Sequence, residues 1–592
     1  MSQTLAHEHE LFAPQRVDVE LCSDGSRIFR SSDPLRAFAR SANDALARGA
    51  ATFPERTFVA EAVRTTALPT WRTLSYGEAL RRARAIAQGL LDAGAAHDRP
   101  VVIAAENGIA HALVTFAAHE IGVPIVPLAP IRVRDETSAH ANALVSLLTR
   151  LRPAVAFVDD ARMVQRLASI ATDLTVASDL DALERTPSDD VATRAQTVDE
   201  ATVAKIMLTS GTTGAPKGVL TTHGMIVSNQ TAISQAWPFF DREPPILVDW
   251  LPWSHSFGGT KIVHFTLHRG GTLYVDDGLP TARDVGRSLA NLRTIAPTVY
   301  FNVPRGYALL VAALETDAEL RAMFFSRLRL AFCAAASLPS STAERFARVR
   351  ALATSRAVPL TYGWGLTETA PSATCVQTAD VRAGEIGIPL PGVEIKLAPV
   401  DGGDELRVRG PNVTPGYAGD TGATRAAFDD DGFFRSGDAA TLVDETHPER
   451  GFRFGGRLCD TFKLSTGVWV RTAALRDAVL EATTPLVAEV LLTGDDADEV
   501  CAIFFLEASA RDDRELRSAL ARALTAVATR ASGRNDRVAR ALIAREALSV
   551  AAGELTAKGT LNRNVALRAR ARDVARLHAA DAHLDPEIVQ PA

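Results

Sequence analysis

Short apolar runs alternate with longer amphipathic stretches along the N-terminal third of the chain. Between Ser75 and Gly94 the pattern is helical, because Glu78 follows Ser75 at capping-box spacing and apolar residues then recur on one face. The alternation continues with apolar runs at 100–105 and 154–160 and helical patterns at 109–122 and 138–151. Strands alternating with helices predict an α/β fold with doubly wound parallel sheets and right-handed crossovers.

The pattern changes after residue 384. Residues 384–417 alternate apolar and polar positions between Pro and Gly residues, which predicts a small antiparallel or β-barrel-like subdomain. Beyond it, apolar runs at 487–493 and 500–506 and an apolar helical stripe at 516–527 predict a small α+β unit. Two smaller predictions are a hairpin at 16–21 and 27–30 and a surface connection at 181–202.

Length and composition narrow the class of protein. At 592 residues and 63.2 kDa the chain exceeds what one hydrophobic core usually supports, so two or more domains are expected. A hydrophobic fraction of 47% and a charged fraction of 23% are typical of soluble globular proteins, and a net charge of -6 disfavours nucleic-acid binding. The N-terminus lacks a basic start and an apolar core, and no apolar run is long enough to span a membrane, which predicts a cytoplasmic protein. The five cysteines are scattered without zinc-type spacing, so we expect reduced thiols and no structural metal.

The densest candidate chemistry lies at 208–224, LTSGTTGAPKGVLTTHG. A strand-length apolar run at 203–208 precedes a loop that carries hydroxyl residues between glycines and ends at Lys217. Glycines let the backbone approach a ligand, hydroxyls and N–H groups donate to anionic oxygens, and the lysine adds positive charge, so the loop predicts phosphate binding. No Gly-Lys-Ser/Thr closes the loop, which argues against a Walker-type ATPase or kinase.

Four further stretches combine residues typical of ligand sites. They are DWLPWSHSFGG (249–259), TYGWGLTETAP (361–371), FFRSGDAATLVD (433–444) and GGRLCDTFKLSTGVWV (455–470). Taken alone, His255 favours a structural core histidine, Asp438 a turn residue, and Lys558 in GELTAKGTLNRNVAL a solvated surface charge. Residues 328–333 are interpreted as a strand, and the small residues at 334–337 would let a flat ligand lie against the backbone.

The loop at 208–224 and TYGWGLTETAP together resemble the signatures of the acyl-adenylate-forming enzymes, which include acyl-CoA synthetases, luciferases and peptide-synthetase adenylation domains. The resemblance implies that a carboxylate attacks ATP to give acyl-AMP and pyrophosphate, after which the thiol of coenzyme A displaces AMP. It also implies Mg²⁺, a large domain at 1–458 that binds ATP and the acid, and a small mobile α+β lid domain at 459–592. At the hinge position this chain has Cys459, where relatives commonly have Asp or Lys.

The resemblance implies roles for individual residues. In the nucleotide site it implies contacts from Thr209, Ser210, Gly211, Thr212, Thr213, Gly214, Lys217, Ala335, Trp364, Asp438 and Arg457. Of these, Trp364 would stack on adenine, and Asp438 and Arg457 would hold the ribose. The implied catalytic residues are His255 beside the acyl group, Thr367 at the α-phosphate, Glu368 as magnesium ligand, Lys463 in thioester formation and Lys558 in adenylation.

Three phrases point to the kind of acid. VDWLPWSHSFGG (248–259), GGTLYVDDGLPT (270–281) and IAPTVYFNVPRGY (295–307) resemble the feruloyl-CoA synthase branch of the family, which implies a hydroxycinnamic acid such as ferulate and a place in phenylpropanoid degradation. The pocket would be lined by Trp253, His255, Phe257 and 334–336. Alternatives are a medium-chain fatty acid or another aryl acid, a carrier-protein acceptor in place of coenzyme A, a non-catalytic adenylate-binding protein, and a nucleotide-dependent kinase.

Overall fold

The structure of the protein is a computed structural model. It describes residues 10–130, 138–171, 173–209, 217–281, 283–507, 510–549, 552–555 and 561–592.

The strands of the described residues are numbered in chain order. They are β1 (Val17–Leu21), β2 (Arg27–Ser31), β3 (Thr57–Val63), β4 (Thr70–Ser75), β5 (Val101–Ala104), β6 (Ile125–Pro127), β7 (Val155–Val158), β8 (Thr175–Ala177), β9 (Val203–Thr209), β10 (Lys217–Thr222), β11 (Ile246–Asp249), β12 (Thr272–Val275), β13 (Val299–Asn302) and β14 (Leu330–Cys333). Further along the chain are β15 (Leu360–Trp364), β16 (Thr374–Cys375), β17 (Glu385–Pro389), β18 (Glu394–Val400), β19 (Gly403–Arg409), β20 (Phe434–Leu442), β21 (Phe452–Arg457), β22 (Phe462–Lys463), β23 (Trp469–Val470), β24 (Val487–Thr493), β25 (Cys501–Leu506), β26 (Arg540–Ile543) and β27 (Ile588–Val589).

The α-helices of the described residues are numbered in the same way. They are α1 (Asn43–Thr52), α2 (Tyr76–Asp92), α3 (Ile109–Glu120), α4 (Ser138–Leu151), α5 (Ala161–Ile170), α6 (Asp189–Thr197), α7 (His223–Ala236), α8 (Val263–His268), α9 (Val285–Thr294), α10 (Pro304–Thr316), α11 (Ala318–Ser326), α12 (Ser340–Ala353), α13 (Thr421–Ala426), α14 (Thr472–Thr483), α15 (Arg514–Arg530), α16 (Arg563–Ala569) and α17 (Ala571–His578). A π-helix spans Ser256–Ile262, directly before α8.

Most of the strands belong to three sheets, of which two are largely parallel and one is mixed. The sheet β10-β9-β6-β5-β7-β8 is parallel except at its β9–β10 edge, and its order reverses at β5, as in doubly wound folds. The sheet β11-β12-β3-β4 is parallel apart from β3–β4. The long sheet β1-β2-β18-β19-β20-β21-β17-β16-β15-β14-β13 joins an antiparallel portion to the parallel strands β13 to β15. These arrangements confirm the predicted α/β class and the antiparallel region after residue 384.

Several local predictions are confirmed by the elements observed. The Ser75 hydroxyl accepts a hydrogen bond from the Glu78 backbone N–H, and α2 begins at the next residue after Ser75. The predicted N-terminal hairpin forms as β1 and β2, and the C-terminal strands and helical stripe form as β24, β25 and α15. Residues 203–208 lie in β9, as the apolar run predicts.

The interpretation of 181–202 as a surface connection is wrong in part, because α6 occupies its middle. The Ser188 hydroxyl caps α6 by accepting from the Asp190 N–H. Val191 is the buried residue of α6, so the helix presents no apolar stripe that sequence periodicity could detect.

The C-terminal strands pack around hydrophobic cores of their own. The clusters there draw their buried members from residues 462–589, whereas the main core of the N-terminal part draws its members from residues 11–452. The expected domain boundary falls in the short 3₁₀ turn Leu458–Asp460 between them, and it stays our proposal. Among the described residues, no helix combines the length and apolar character needed to cross a bilayer.

Candidate active site

The hairpin β9–β10 frames the predicted phosphate loop. Thr209 at the end of β9 lies opposite Lys217 at the start of β10, and a strand rather than a helix follows the lysine, as the non-Walker spacing predicts. The outer edge of β10 pairs with a loop, because the Leu220 N–H donates to the Gly416 carbonyl at 3.0 Å. The Lys217 ammonium lies over the Tyr417 ring of this loop, 5.0 Å from its centroid. The predicted contacts Ser210, Gly211, Thr212, Thr213 and Gly214 lie outside the described residues.

Glu368 follows β15 in the 3₁₀ turn Thr367–Thr369. Its side chain is half-buried, and its Oε1 accepts a hydrogen bond from the Tyr417 hydroxyl at 3.1 Å. Burial raises the pKa of the Glu368 carboxyl, while the charges of Lys217 and Arg457 act in the opposite direction. The carboxylate is therefore partly desolvated and lies in the field of two cations.

Asp438 and its partners form the other half of the site. The indole N–H of Trp364, at the end of β15, donates to Asp438 Oδ2 at 2.8 Å. Arg457 lies opposite Asp438 in the β20–β21 ladder, with its Nε 3.9 Å from Asp438 Oδ1. Asp438 is 5% exposed, and this burial raises the pKa of its carboxyl to about 6.

The two halves share one electrostatic environment. Arg457 lowers the pKa of both carboxyls, and the charge of Glu368 contributes to raising the pKa of Asp438. The structure thus brings together Lys217, Glu368, Asp438 and Arg457, which are widely separated in sequence. Two carboxylates and two cations in one cluster are suited to a polyanion that carries hydroxyl groups.

The stretch at 249–259 forms a wall beside this cluster. Ser256 Oγ lies 3.3 Å from Thr367 Oγ1, which places the start of the π-helix against the Glu368 turn. The half-buried His255 directly precedes the π-helix, and Phe257 packs edge-on against Phe301 and Phe332. π-Helical segments are rare in proteins, and those that do occur are often found at functional sites.

A very close backbone approach explains the paired glycines in the wall. A Cβ added at Gly259 would lie 2.0 Å from the Trp253 carbonyl oxygen, so only glycine fits there. Trp253 itself packs against His111, with ring centroids 5.2 Å apart, and is part of the main core. The Trp253 indole therefore packs the stretch 249–259 against the main core.

Ala335 has a strained backbone at the end of β14. Its φ of +76° lies in the left-handed region that alanine rarely adopts, and its side chain is exposed. Two residues later, Ser337 lies near α14: burial raises the pKa of the Asp477 carboxyl, and the nearby Ser337 hydroxyl acts in the opposite direction, so this small-residue segment lies close to the C-terminal part of the chain. Strain retained at an exposed alanine favours a functional loop. The role of Ala335 in nucleotide binding stays a prediction.

Of the remaining predicted residues, two follow the cluster in the chain and one lies outside the described residues. Lys463 is exposed in β22, with its ammonium 4.7 Å from the centroid of the Trp469 ring. Cys459 is exposed in the 3₁₀ turn between β21 and β22. Lys558 lies outside the described residues.

Sequence reasoning missed Tyr417 and Ser256 as site residues. Tyr417 ends the alternating stretch at 384–417 and lies after Pro415 and Gly416, and the alternation does not show that its hydroxyl reaches Glu368. Ser256 contacts a residue 111 positions away, so only the folded chain reveals the pair. A hydroxyl directly after His255 was the one available signal for Ser256.

A family model described as AMP-binding enzyme matches residues 46–418. The chain belongs to the AMP-binding enzyme family. The match covers Lys217, Trp364, Thr367 and Glu368, and it ends before Asp438.

Members of the AMP-binding family with named activities align with much of the chain. A feruloyl-CoA synthase from Amycolatopsis sp is 30% identical over 381 residues, which are 62% of this chain and 71% of that protein. The human long-chain-fatty-acid–CoA ligase 6 is 25% identical over 332 residues, which cover 49% of this chain and 46% of the ligase. The crystal structure of a malonyl-CoA ligase with methylmalonyl-CoA and AMP bound superposes with a TM-score of 0.56 and 28% identity, covering 85% of this chain and 99% of that one.

Proposed function

We propose that this protein is an ATP-dependent acyl-CoA ligase that activates a hydroxycinnamic acid such as ferulate through an acyl-adenylate. The observation that carries the proposal is the convergence of Lys217, Glu368, Asp438 and Arg457 beside the Thr367 turn. Family membership supports adenylate chemistry. The feruloyl-CoA synthase relative supports the choice of acid.

The ribose would be held by Asp438 and Arg457. The carboxylate offers acceptors for two neighbouring hydroxyls, and Arg457 offers N–H donors from the adjacent strand. The bond from Trp364 fixes the orientation of both its own ring and the Asp438 carboxylate. An adenine stacked on Trp364 would therefore meet a ribose site that is already aligned.

The phosphates would lie toward Lys217, Thr367 and the loop after Thr209. Attack of a carboxylate on the α-phosphate brings two anions together, so positioned donors and cations lower the barrier. Lys217 would supply charge from β10, and Thr367 a hydroxyl beside the α-phosphate. Lys558 would add a donor from the C-terminal segment.

The residues present fit a magnesium ion at Glu368. Mg²⁺ binds through one or two carboxylates together with substrate phosphates, and the half-buried Glu368 carboxylate faces such a position without an ion-pair partner at contact distance among the described residues. Magnesium would neutralise charge on the phosphates when bound. Tyr417 would hold the carboxylate in place through its hydroxyl.

The second step needs a different set of groups at the adenylate. We propose that the segment 459–592 rotates about the Leu458–Asp460 turn, so that Lys463 faces the site during attack by the coenzyme A thiol. The present proximity of Asp477 in α14 to Ser337 would then be lost. Cys459, in the middle of this turn, would absorb part of the backbone rotation.

The proposal is tested by measuring which nucleotide product appears with a panel of acids. Ferulate, 4-coumarate, benzoate and octanoate are each incubated with the protein, ATP, Mg²⁺ and coenzyme A. We expect AMP and pyrophosphate, with the highest kcat/KM for a hydroxycinnamic acid. ADP as the product would contradict the proposed acyl-CoA ligase activity. A preference for octanoate would favour the fatty-acid alternative that the human relative supports.

We expect the kcat/KM for ATP to fall as the pH drops through about 6. The pKa of Asp438 is raised by burial to about 6, so below that pH the carboxyl binds a proton and loses charge toward the ribose hydroxyls. Trp364→Phe removes the N–H that lowers this pKa, and the midpoint should move to higher pH. The check is a pH profile of kcat/KM, which reports the free enzyme.

Asp438→Asn serves as the control for that profile. It cannot titrate, so its low activity should show no midpoint near pH 6. A Trp364→Phe profile with an unshifted midpoint would show that another group controls the titration.

A further inference from the structure

The backbone is strained directly after the 3₁₀ turn that carries Thr367 and Glu368. Ala370 has a φ of +60°, in the left-handed region that alanine rarely adopts, and it is completely buried. Such a backbone persists only where the surrounding structure holds it. The support given to residues 369–372 therefore helps to determine where Thr367 and Glu368 lie.

Three buried side chains hold this stretch by hydrogen bonds from different parts of the chain. The Asn412 Nδ2 donates to the Thr369 carbonyl at 2.9 Å and to the Ser372 carbonyl at 3.0 Å. Asn229 of α7 donates to the same Ser372 carbonyl at 2.6 Å, and Lys261 of the π-helix donates to the Ser372 hydroxyl at 3.0 Å. Of the three, Asn412 spans the strained alanine, because its two acceptors lie on either side of it.

The N–H groups of Asn412 are the part of its amide that is used. Asn412 is 1% exposed, and its Oδ1 has no hydrogen-bond partner among the described residues. Burying an amide oxygen without a partner is unfavourable, and a leucine of similar size would avoid that cost. A role in core packing alone therefore does not account for an asparagine at this position.

The segment that follows Asn412 joins the Glu368 turn to β10. The Thr414 N–H donates to the Glu368 carbonyl at 2.8 Å, and the Thr414 hydroxyl donates to the Leu220 carbonyl of β10 at 2.6 Å. Because β10 begins at Lys217, this short segment connects the proposed phosphate-binding lysine with the proposed magnesium ligand.

We infer that Asn412 is a positioning residue that holds Thr367 and Glu368 in the geometry that adenylation requires. The inference rests on the proposed function, in which Thr367 contacts the α-phosphate and Glu368 holds magnesium. Without the Asn412 amide, the Thr369 carbonyl loses an N–H donor, and the left-handed backbone next to it is free to relax. A displacement of about 1 Å in groups that orient the reacting atoms lowers a rate on the order of a hundredfold.

The test compares Asn412→Leu with the wild type in ATP–pyrophosphate exchange with ferulate. We expect the maximal exchange rate to fall roughly 10-fold to 100-fold and the KM for ATP to change less than about threefold, because the adenine and ribose groups of the site lie on other segments. A purely structural role would lower the unfolding temperature without separating the maximal rate from the KM.

A second measurement follows metal binding without catalysis. Mn²⁺ is titrated into the enzyme with ATP and no acid, and electron paramagnetic resonance measures the unbound ion against a blank that contains ATP alone. Displacement of Glu368 should weaken Mn²⁺ binding to Asn412→Leu roughly 10-fold to 100-fold, as is typical when a residue that orients a metal ligand is lost.

Asn229→Leu is the matched control. Asn229 is likewise 1% exposed, donates to the Ser372 carbonyl and has no recorded partner for its Oδ1. Because its acceptor lies on the far side of the strained alanine from Glu368, its replacement should leave the exchange rate and the Mn²⁺ affinity within about threefold of the wild type. Should Asn412→Leu fail to fold in a thermal unfolding assay, Asn412→Ser, which is too short to reach both carbonyls, should show the same two losses.

The outcomes separate the inference from the proposed function. Wild-type exchange and Mn²⁺ affinity in Asn412→Leu, or equal losses in Asn412→Leu and Asn229→Leu, would overturn the positioning role of Asn412 alone. An absence of pyrophosphate exchange in the wild type with every acid of the panel would overturn the proposed function itself.

Discussion

Replacing Glu368 with glutamine is expected to lower the rate of acyl-adenylate formation by about a hundredfold to a thousandfold. Glutamine has nearly the same shape and can still accept the Tyr417 hydrogen bond, so the change removes mainly the negative charge. Without that charge the site loses its hard anionic oxygen for magnesium. The measurement is ATP–pyrophosphate exchange in the presence of ferulate, over a series of magnesium concentrations.

Tyr417→Phe is the control for this prediction. It removes the hydroxyl that orients Glu368 and leaves the carboxylate charge, so its loss of exchange should be much smaller than that of Glu368→Gln. Exchange at the wild-type rate in Glu368→Gln, at every magnesium concentration, would show that Glu368 does not hold the ion.

Lys558→Ala and Lys463→Ala are expected to separate the two half-reactions. Lys558→Ala should lower pyrophosphate exchange by about a hundredfold to a thousandfold with little change in ATP affinity, because one positioned donor to the developing charge is lost. Lys463→Ala should leave exchange largely intact and slow thioester formation, because its exposed ammonium lies over the Trp469 ring of its own β-hairpin in the present arrangement.

The second half-reaction is measured by adding coenzyme A to enzyme preloaded with the acyl-adenylate in a single-turnover assay. Pyrophosphate exchange and the single-turnover assay thus measure the effect of each substitution on adenylation and on thioester formation separately. Equal losses in both half-reactions for Lys463→Ala, or normal exchange in Lys558→Ala, would refute the division of labour between the two lysines.

Local sequence patterns predicted the elements that carry the site. A capping pair starts α2, an apolar run forms β9, and the glycine and hydroxyl pattern of the predicted phosphate loop begins where β9 ends. These features depend on residues close together in the chain, so spacing alone reveals them. The resemblance supplied candidates for the nucleotide site, and the structure brings Trp364, Glu368, Asp438 and Arg457 together.

The spacing of residues in the sequence could not predict contacts between residues that are far apart in the chain. Trp364 and Asp438 are 74 positions apart, and Tyr417 and Glu368 are 49 apart, so their hydrogen bonds depend on how the long sheet pairs its strands. The π-helix was also missed, because Gly258 and Gly259 interrupt any regular period in its sequence. Lys261 gave no signal as a lone lysine in an apolar stretch, and its burial emerged only in the folded chain.

The central claim is that an oxygen of the acid attacks the α-phosphorus of ATP. It is tested most directly by supplying ferulate labelled with ¹⁸O in both carboxylate oxygens, together with ATP and coenzyme A, and analysing the nucleotide by mass spectrometry. When the thiol displaces the adenylate, the bridging oxygen leaves with the phosphate, so we predict AMP that carries one ¹⁸O atom. Unlabelled AMP, or label in inorganic phosphate accompanied by ADP, would contradict the account.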